Sequence, residues 1–564
     1  MNPDNGGDDR LAQDGKWLPW LPLTPLLFGV ALFAVNESAV LAGYLSPPPG
    51  YTAAFLPQHM DYSQYQTWIN AYQKTRGLLL PDYHAPWATE PALMNPYCWG
   101  VARISALLGV DSLWIYHLMS FALTIAGAYA LFFTLRAFTY SRTQTRLALL
   151  LSLCCVPVPS VLALLRFIFG NSNRWIDLAA RGSQVYSRFN GDGFVNGISG
   201  SPQVLFGTIT TLLSMGLLAR YLKTDSPKYI RWASVVSAVS AFIHPFEIFV
   251  IMGAGGLVLL LRRDRPWTQA AKDVAWLVVP GFVGMAPYLY LTARHAWLRE
   301  AAVQNRWDAL PPFALLLVLG FPALFCLFSS ILPLAKRSVT DTLLLLWFGC
   351  TLMGVYVPWI PWSHHLLDGF HYATALLLVR QATRWGVIRR VWSQRPVLAR
   401  ASLGLFVVLS LSAHVLLVKD AIAAATVAGD PGSTVISKTD RAVLAWLRGH
   451  AASEDLVLAP KSSAGWFATA PMHSFASHWL FSLTWREQVR LSEAFYSGAL
   501  DRRAADALLR DFGVRYVVIP DQSPAASYFS SQTPVARIET AAIYMLASPG
   551  LRPFVPFSRR MPAN

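Results

Sequence analysis

Hydrophobic and polar positions along this chain come in long blocks. Apolar runs recur through its first three quarters, and because a helix needs about 20 mostly apolar residues to cross a bilayer, each run predicts a span. The runs are Leu21–Leu45, Leu113–Leu135, Leu147–Leu165, Val204–Ala219, Ala233–Phe242, Phe246–Leu261, Val274–Leu291, Phe313–Leu334, Leu343–Tyr356, Leu366–Val379 and Leu403–Val418. The stretch AFIHPFEIF separates two of them. Proline disfavours helix at the residue before it, so His244-Pro245 predicts two short helices rather than one long span. The basic stretches RAFTYSRTQTR, RYLKTDSPKYIR, RRDRPWTQAAK and RQATRWGVIRRVWSQRPVLAR then share the cytoplasmic side. With a cytoplasmic N-terminus, about eleven passes place the C-terminus outside.

Three long loops face outward in this topology: Ser46 to Asp111, Arg166 to Gln203, and the stretch beginning RHAWLREAAVQNRW at Arg294. Long ordered loops are usually functional. From about Thr434 the pattern changes to that of an α/β domain. TDRAVLAWLRGH, WREQVRLSEAFYSG and DRRAADALLRDFG have helical periodicity, and DLVLAP, VRYVVIP and AAIYMLAS read as short buried strands. The expected organisation is a disordered cytoplasmic N-terminus (1–20), a membrane domain (21–422), a small extracytoplasmic α/β domain (434–550) and a tail (551–564).

Composition supports this class. The 564 residues are 54% hydrophobic and only 14% charged, where soluble proteins carry roughly 25% charge. A net charge of +15 would suggest nucleic acid in a soluble chain. Here the cations sit between apolar runs and no basic aromatic module occurs, so they point to topology and anionic lipid, and nucleic acid is excluded as a partner. The five cysteines show neither a disulfide framework nor metal spacing.

Four groups of residues carry candidate chemistry. In FLPQHMDYSQYQTWINAYQKT, Asp61, Tyr65 and Trp68 share one helix face at i, i+4 and i+7, with Tyr62 beside them. Such a carboxylate is either a general base toward a sugar hydroxyl beside an aromatic wall or a helix cap. In the second loop, Arg181 and Arg188 on the outer side are either phosphate ligands or partners of Asp177 and Asp192. In PWIPWSHHLLDGFHYATALL, His364, Asp368 and His371 fall on one face, with His365 adjacent. They suit phosphate contact, metal ligation or a simple interfacial role. His244 and Glu247, at the expected helix break, line a cavity or stabilise a hairpin turn. No nucleotide loop, zinc-protease or nucleophile-elbow motif occurs, so the energy for any reaction outside must come with the substrate.

An acidic residue after the first span, a large first outer loop and an outer C-terminal domain resemble the GT-C glycosyltransferases. These are integral membrane enzymes that use polyprenyl-phosphate sugars. HPF, NGISGSPQVLFG, HHLLDGFHYATALLL and the C-terminal segments SFASHWLFSLTWREQVRLSEAFYSG and LLRDFGVRYVVIP are similar to those of uncharacterised bacterial members, over about Leu21 to Ser548. Asp61 stands singly where many members carry an acidic pair, and His364-His365 stands where related segments carry arginines.

The resemblance implies a GT-C-like fold in the bacterial inner membrane with Asp61 as catalytic base. It implies a polyprenyl-phosphate sugar as donor and a glycan, lipid or protein as acceptor. Tyr62, Tyr65, Trp68, Arg181, Arg188, Asp192, His244, His365 and His371 are the candidate substrate contacts. No cofactor is required; a divalent metal ion is compatible, with Asp61, Asp192, His364 and Asp368 as candidate ligands. Two other functions fit the same class of chain: a transporter or flippase for lipid-linked sugar, and a non-catalytic envelope scaffold. A transporter needs polar groups through the whole membrane depth, whereas here they gather toward one face.

Overall fold

The computed structural model describes residues 23–54, 60–139, 141–154, 202–305, 326, 338–357, 360, 363–367, 369–384, 390, 394–427, 433–478, 484–547 and 550–554. The chain divides into two compact units, each drawn from several stretches of sequence. One comprises 1–36, 120–285 and 307–417, and the other 37–119, 286–306 and 418–564.

The first unit is helical. Among the described residues, three helices are long and apolar enough to cross a membrane: Ser112–Phe138, Pro202–Thr224 and Trp267–Arg294. They become four if the broken pair Leu23–Asn36 and Ser38–Leu45 is one span. Glu247–Leu260 and Val339–Gly354 are shorter apolar helices. The expected runs at 147–165 and 313–334 lie largely outside the described residues, so the count of about eleven is not decided by these helices.

The break at His244-Pro245 is present. Helix Pro227–Ile243 ends at an extended His244 (φ −143°), and the next helix begins at Glu247. The run expected over Leu366–Val379 is interrupted instead. A 3₁₀ turn at Ser363–Leu367 is followed by Gly369 at φ +83°, a left-handed conformation that terminates helix, and helix Phe370–Arg384 starts afresh. His364 and His371 therefore do not share one continuous helix face.

Leu205, Ile209, Leu212 and Met215 of Pro202–Thr224 are packed in one apolar cluster with Ile248, Ile251, Leu344 and Trp347. Close approach is bought by small residues, as is usual between membrane helices. A Cβ at Gly284 would lie 2.2 Å from the carbonyl oxygen of Ala238.

Two ionic networks tie helix ends in this unit. Arg262 reaches Asp225 at 2.7 Å and also pairs with Asp264, while Arg265 reaches Asp225 at 2.5 Å and Asp273 at 3.2 Å. Two of the basic stretches read from the sequence thus meet. In the second network Ser338 and Asp341 form a capping box, and Arg380 Nε donates to Asp341 at 2.7 Å.

Among the described residues the second unit holds two sheets. Strands β1 (Tyr51–Ala53) and β2 (Val435–Ser437) pair antiparallel. A five-stranded sheet follows from β3 (Leu456–Leu458), β4 (His473–Ser474), β5 (Val514–Pro520), β6 (Ala536–Ile538) and β7 (Ala541–Met545), in the order β4-β3-β5-β7-β6. β3 runs parallel to β4 and β5, and β7 runs antiparallel to β5 and β6.

Successive strand residues point to opposite faces, and both faces are covered. Val457, Tyr516, Val518 and Ile543 pack with Val443, Leu447 and Phe467 of helices Lys438–His450 and Lys461–Phe467. Leu456, Leu458, Val517 and Ile519 pack with Phe495, Leu508 and Leu509 of helices Trp485–Tyr496 and Arg502–Phe512. Burial on two sides is why these strands read as unbroken apolar runs. Gly513, at φ +70°, ends the Arg502–Phe512 helix and lets β5 start at the next residue.

Asp341 and Arg380 are mostly buried, with side chains 8% and 14% exposed. Arg380→Met would strand the carboxylate, and breaking a buried pair from one side costs about 3–5 kcal/mol. The detergent-solubilised variant should melt well below wild type. Adding Asp341→Asn should recover part of the loss, as thermal unfolding would read.

Candidate functional site

Asp61 is the second residue of helix Met60–Thr75. An acidic residue in a helix's first turn is favoured by the positive end of the helix. The side chains of Asp61 and Tyr62 lie outside those described.

The rest of this helix departs from an interfacial one. Its sequence is polar, yet Gln64, Thr67, Trp68, Ile69 and Tyr72 are all buried. Its polar groups are used in packing. Gln66 Nε2 donates to Asn70 Oδ1 (2.7 Å), Asn70 Nδ2 to the Thr469 carbonyl (2.7 Å), and Gln73 Nε2 to Ser105 Oγ (2.8 Å). Tyr65 is half-buried and its ring lies 5.9 Å from that of Trp68, which is 4% exposed. The i, i+4, i+7 spacing thus does bring an aromatic pair onto the helix.

Two buried amide atoms on this helix, Gln64 Nε2 and Gln66 Oε1, have no hydrogen-bond partner among the described residues. Leaving such a group unsatisfied costs about 1–3 kcal/mol.

A second polar group sits in the helical unit, at the His244-Pro245 break. Glu247 is 1% exposed, and His244 Nδ1 lies 2.7 Å from both of its carboxylate oxygens. The His365 ring stacks on Phe246 at 5.0 Å and lies 5.3 Å from the His244 ring. The 3₁₀ turn and the helix break thus bring together two histidines that are far apart in sequence.

Glu247 belongs with them. Its signal in the sequence was an acidic residue three positions after a histidine in an otherwise apolar stretch. Gly207 makes room for it, since a Cβ there would lie 2.2 Å from Glu247 Oε1. Four residues earlier on the same helix face, Gln203 is 2% exposed, with both amide atoms unpartnered among the described residues. Its signal was a polar residue directly after a proline that opens an apolar helix.

His371 lies on helix Phe370–Arg384, with its ring 3.9 Å from that of Tyr372. Arg181, Arg188, Asp192 and Asp368 lie outside the described residues, as does the side chain of His364. Among the described residues no group of three His, Cys, Asp or Glu side chains could hold a metal ion.

Gly207→Ala would drive a methyl into the Glu247 carboxylate, and overpacking of this kind costs about 1–3 kcal/mol. That outweighs the gain of up to ~1 kcal/mol that alanine brings within a helix. Gly349 has open space around its Cβ position. Gly207→Ala should therefore lower the melting temperature, whereas Gly349→Ala should leave it unchanged or slightly raised.

No protein-family model and no curated protein sequence matches the chain. Solved structures do. The cryo-EM structure of the arabinofuranosyltransferase AftD from Mycobacteria is similar over 94% of this chain, with a TM-score of 0.53 and 13% identity. The match covers 40% of that chain, so this protein spans less than half of AftD's length. The crystal structure of ArnT from Cupriavidus metallidurans bound to undecaprenyl phosphate is similar over 94% of this chain and 99% of that one, with a TM-score of 0.50 and 10% identity. Identity this low speaks for fold and not for chemistry. This apolar, helical chain therefore shares its fold with the AftD and ArnT structures.

Proposed function

We propose that the protein transfers a sugar from a polyprenyl-phosphate-linked donor to an acceptor hydroxyl at the outer face of the membrane, with Asp61 as general base. The observation that carries this reading is the helix Met60–Thr75 itself. It is polar and buried, it has Asp61 in its first turn, and two of its glutamine amide atoms have no hydrogen-bond partner among the described residues. A sugar brings the hydroxyl groups that such amides need, and aromatic side chains such as Tyr62, Tyr65 and Trp68 suit its ring. The fold adds support, because the similar ArnT structure was obtained with undecaprenyl phosphate.

Asp61 takes the proton from the acceptor hydroxyl as that oxygen bonds to the anomeric carbon. The bond from that carbon to the phosphate oxygen breaks, and polyprenyl phosphate leaves with the electron pair. A single displacement inverts the anomeric centre. Cationic groups stabilise the leaving phosphate; Arg181, Arg188 and His365 are the proposed phosphate contacts, with Asp192, His244 and His371 as further substrate contacts. The C-terminal domain and the sugar lie outside the membrane in this reading, with the N-terminus in the cytoplasm.

Asp61→Asn should abolish transfer while leaving the protein folded in the membrane. Removing a general base costs about 10²–10⁴-fold in rate. Native mass spectrometry of wild type beside Asp61→Asn should show a polyprenyl-phosphate sugar retained by the variant. Unchanged transfer by Asp61→Asn would refute Asp61 as the base, and polyprenyl phosphate missing from both proteins would refute the donor.

A further inference from the structure

The second unit contains a cluster of histidines that the proposed reaction does not use. Residues 80–92 fold back on themselves, with Leu80 and Ala92 exchanging two backbone hydrogen bonds of 2.9 Å. This segment lies along β4, the edge strand of the five-stranded sheet. Ser474 N donates to the Tyr83 carbonyl at 3.1 Å, and His473 Nδ1 lies 2.7 Å from the Ala85 carbonyl, which it meets as a donor. His84 Nδ1 is 2.8 Å from Ser477 Oγ, and the His84 ring is 5.2 Å from that of His478. His84, His473 and His478 are all buried. Three imidazoles so enclosed, two of them side by side, are tolerated as neutral groups. As cations they would lose their hydration and repel one another.

We propose that His84, His473 and His478 form an acid-operated latch, which holds residues 80–92 on the edge of the sheet while the imidazoles are neutral and releases them when the imidazoles take up protons. The latch also steadies the helix that carries Asp61. The segment's continuation reaches that helix through Asn95 N, which donates to Tyr72 Oη, while Asn70 holds the carbonyl of Thr469.

The charged and titratable neighbours decide the sign. His84 is held well below the ordinary imidazole value, by burial first and then by the imidazoles of His478 and His473. His473 is pushed down to about 4 by burial, with the Ala85 carbonyl and Glu454 pulling the other way. Asp455 faces His473 through its backbone carbonyl, and its carboxylate is taken up by the Ala452 N–H. Tyr83, beside His473, is raised by burial and by Glu454.

Asp82 acts in opposition. Its carboxyl is pushed up to about 7 by burial, with the His84 N–H pulling it down. One of its oxygens, Oδ2, has no partner among the described residues.

An imidazole with a depressed closed-state value binds a proton on opening, so opening gains as pH falls below about 6.5. A carboxyl with a raised value loses its proton on opening above about 4, so Asp82 takes one proton away from that balance. His84 and His473 against Asp82 leave a net uptake of up to about one proton per opening between about pH 4.5 and 6. Each net proton makes opening tenfold easier per pH unit.

The test is hydrogen exchange by mass spectrometry on the full chain in detergent from pH 6.5 to 4.5, corrected for the intrinsic pH dependence of exchange. Peptides covering 80–92 and 473–478 should lose protection on acidification at up to about tenfold per unit. Peptides from helix Pro202–Thr224 should not. Asp82→Asn should steepen the slope by about a further tenfold per unit. His473→Asn, which keeps a donor for the Ala85 carbonyl, should make it about tenfold shallower. The wild-type slope needs no variant to fold. Protection that is constant or rises on acidification would overturn the proposal, and so would a slope shared by the whole chain or one unchanged by both variants. The readout is independent of any sugar transfer, so it stands or falls apart from the proposed function.

Discussion

The second unit depends on backbone pairing between segments that are distant in the chain. β1 pairs with β2, the Tyr83 carbonyl accepts from Ser474, and Ala88 exchanges hydrogen bonds with the stretch at Arg552–Phe554. The side-chain contact between His84 and Ser477 joins positions 393 residues apart. Closing a loop costs entropy that grows only with the logarithm of its length, so such separation is affordable when the chain between is itself folded. The consequence is that residues 37–119 and the C-terminal segment belong to one folded body. The helix bearing Asp61 is held from the same body, through Thr469.

Polar groups removed from water shape both units. A buried polar atom without a partner costs free energy comparable to a lost hydrogen bond. His244 and Glu247 satisfy each other at 2.7 Å, and Gly207 exists as a glycine because that carboxylate occupies the space of a side chain. Helix Met60–Thr75 meets the same problem with a chain of amides, with Gln64 Nε2 and Gln66 Oε1 left unpartnered among the described residues.

Much of the architecture was legible in the residues. The helix break followed from His244-Pro245, because proline restricts the residue before it whatever surrounds it. The strands Val514–Pro520 and Ala541–Met545 and the helices around them followed from periodicity, since each buries its apolar face within one domain. β2, β4 and β6 were not legible. They have two or three residues each, and partners elsewhere in the chain make them strands. The interruption at Gly369 also escaped the hydropathy pattern, which records how apolar a run is and not where a single residue takes a left-handed φ.

For the candidate site, the sequence by itself supplied the residue types: a lone carboxylate among aromatics and histidines at the ends of apolar runs. It determined the membrane class as well, because apolar length is a property of the chain alone. Only the tertiary structure decided which groups meet. It set His365 beside His244, put Glu247 against Gly207, buried a polar helix, and gathered three histidines around residues 80–92. Local residue patterns carry conformational preference and solubility. Distances between groups hundreds of residues apart arise only when the packed chain closes on itself.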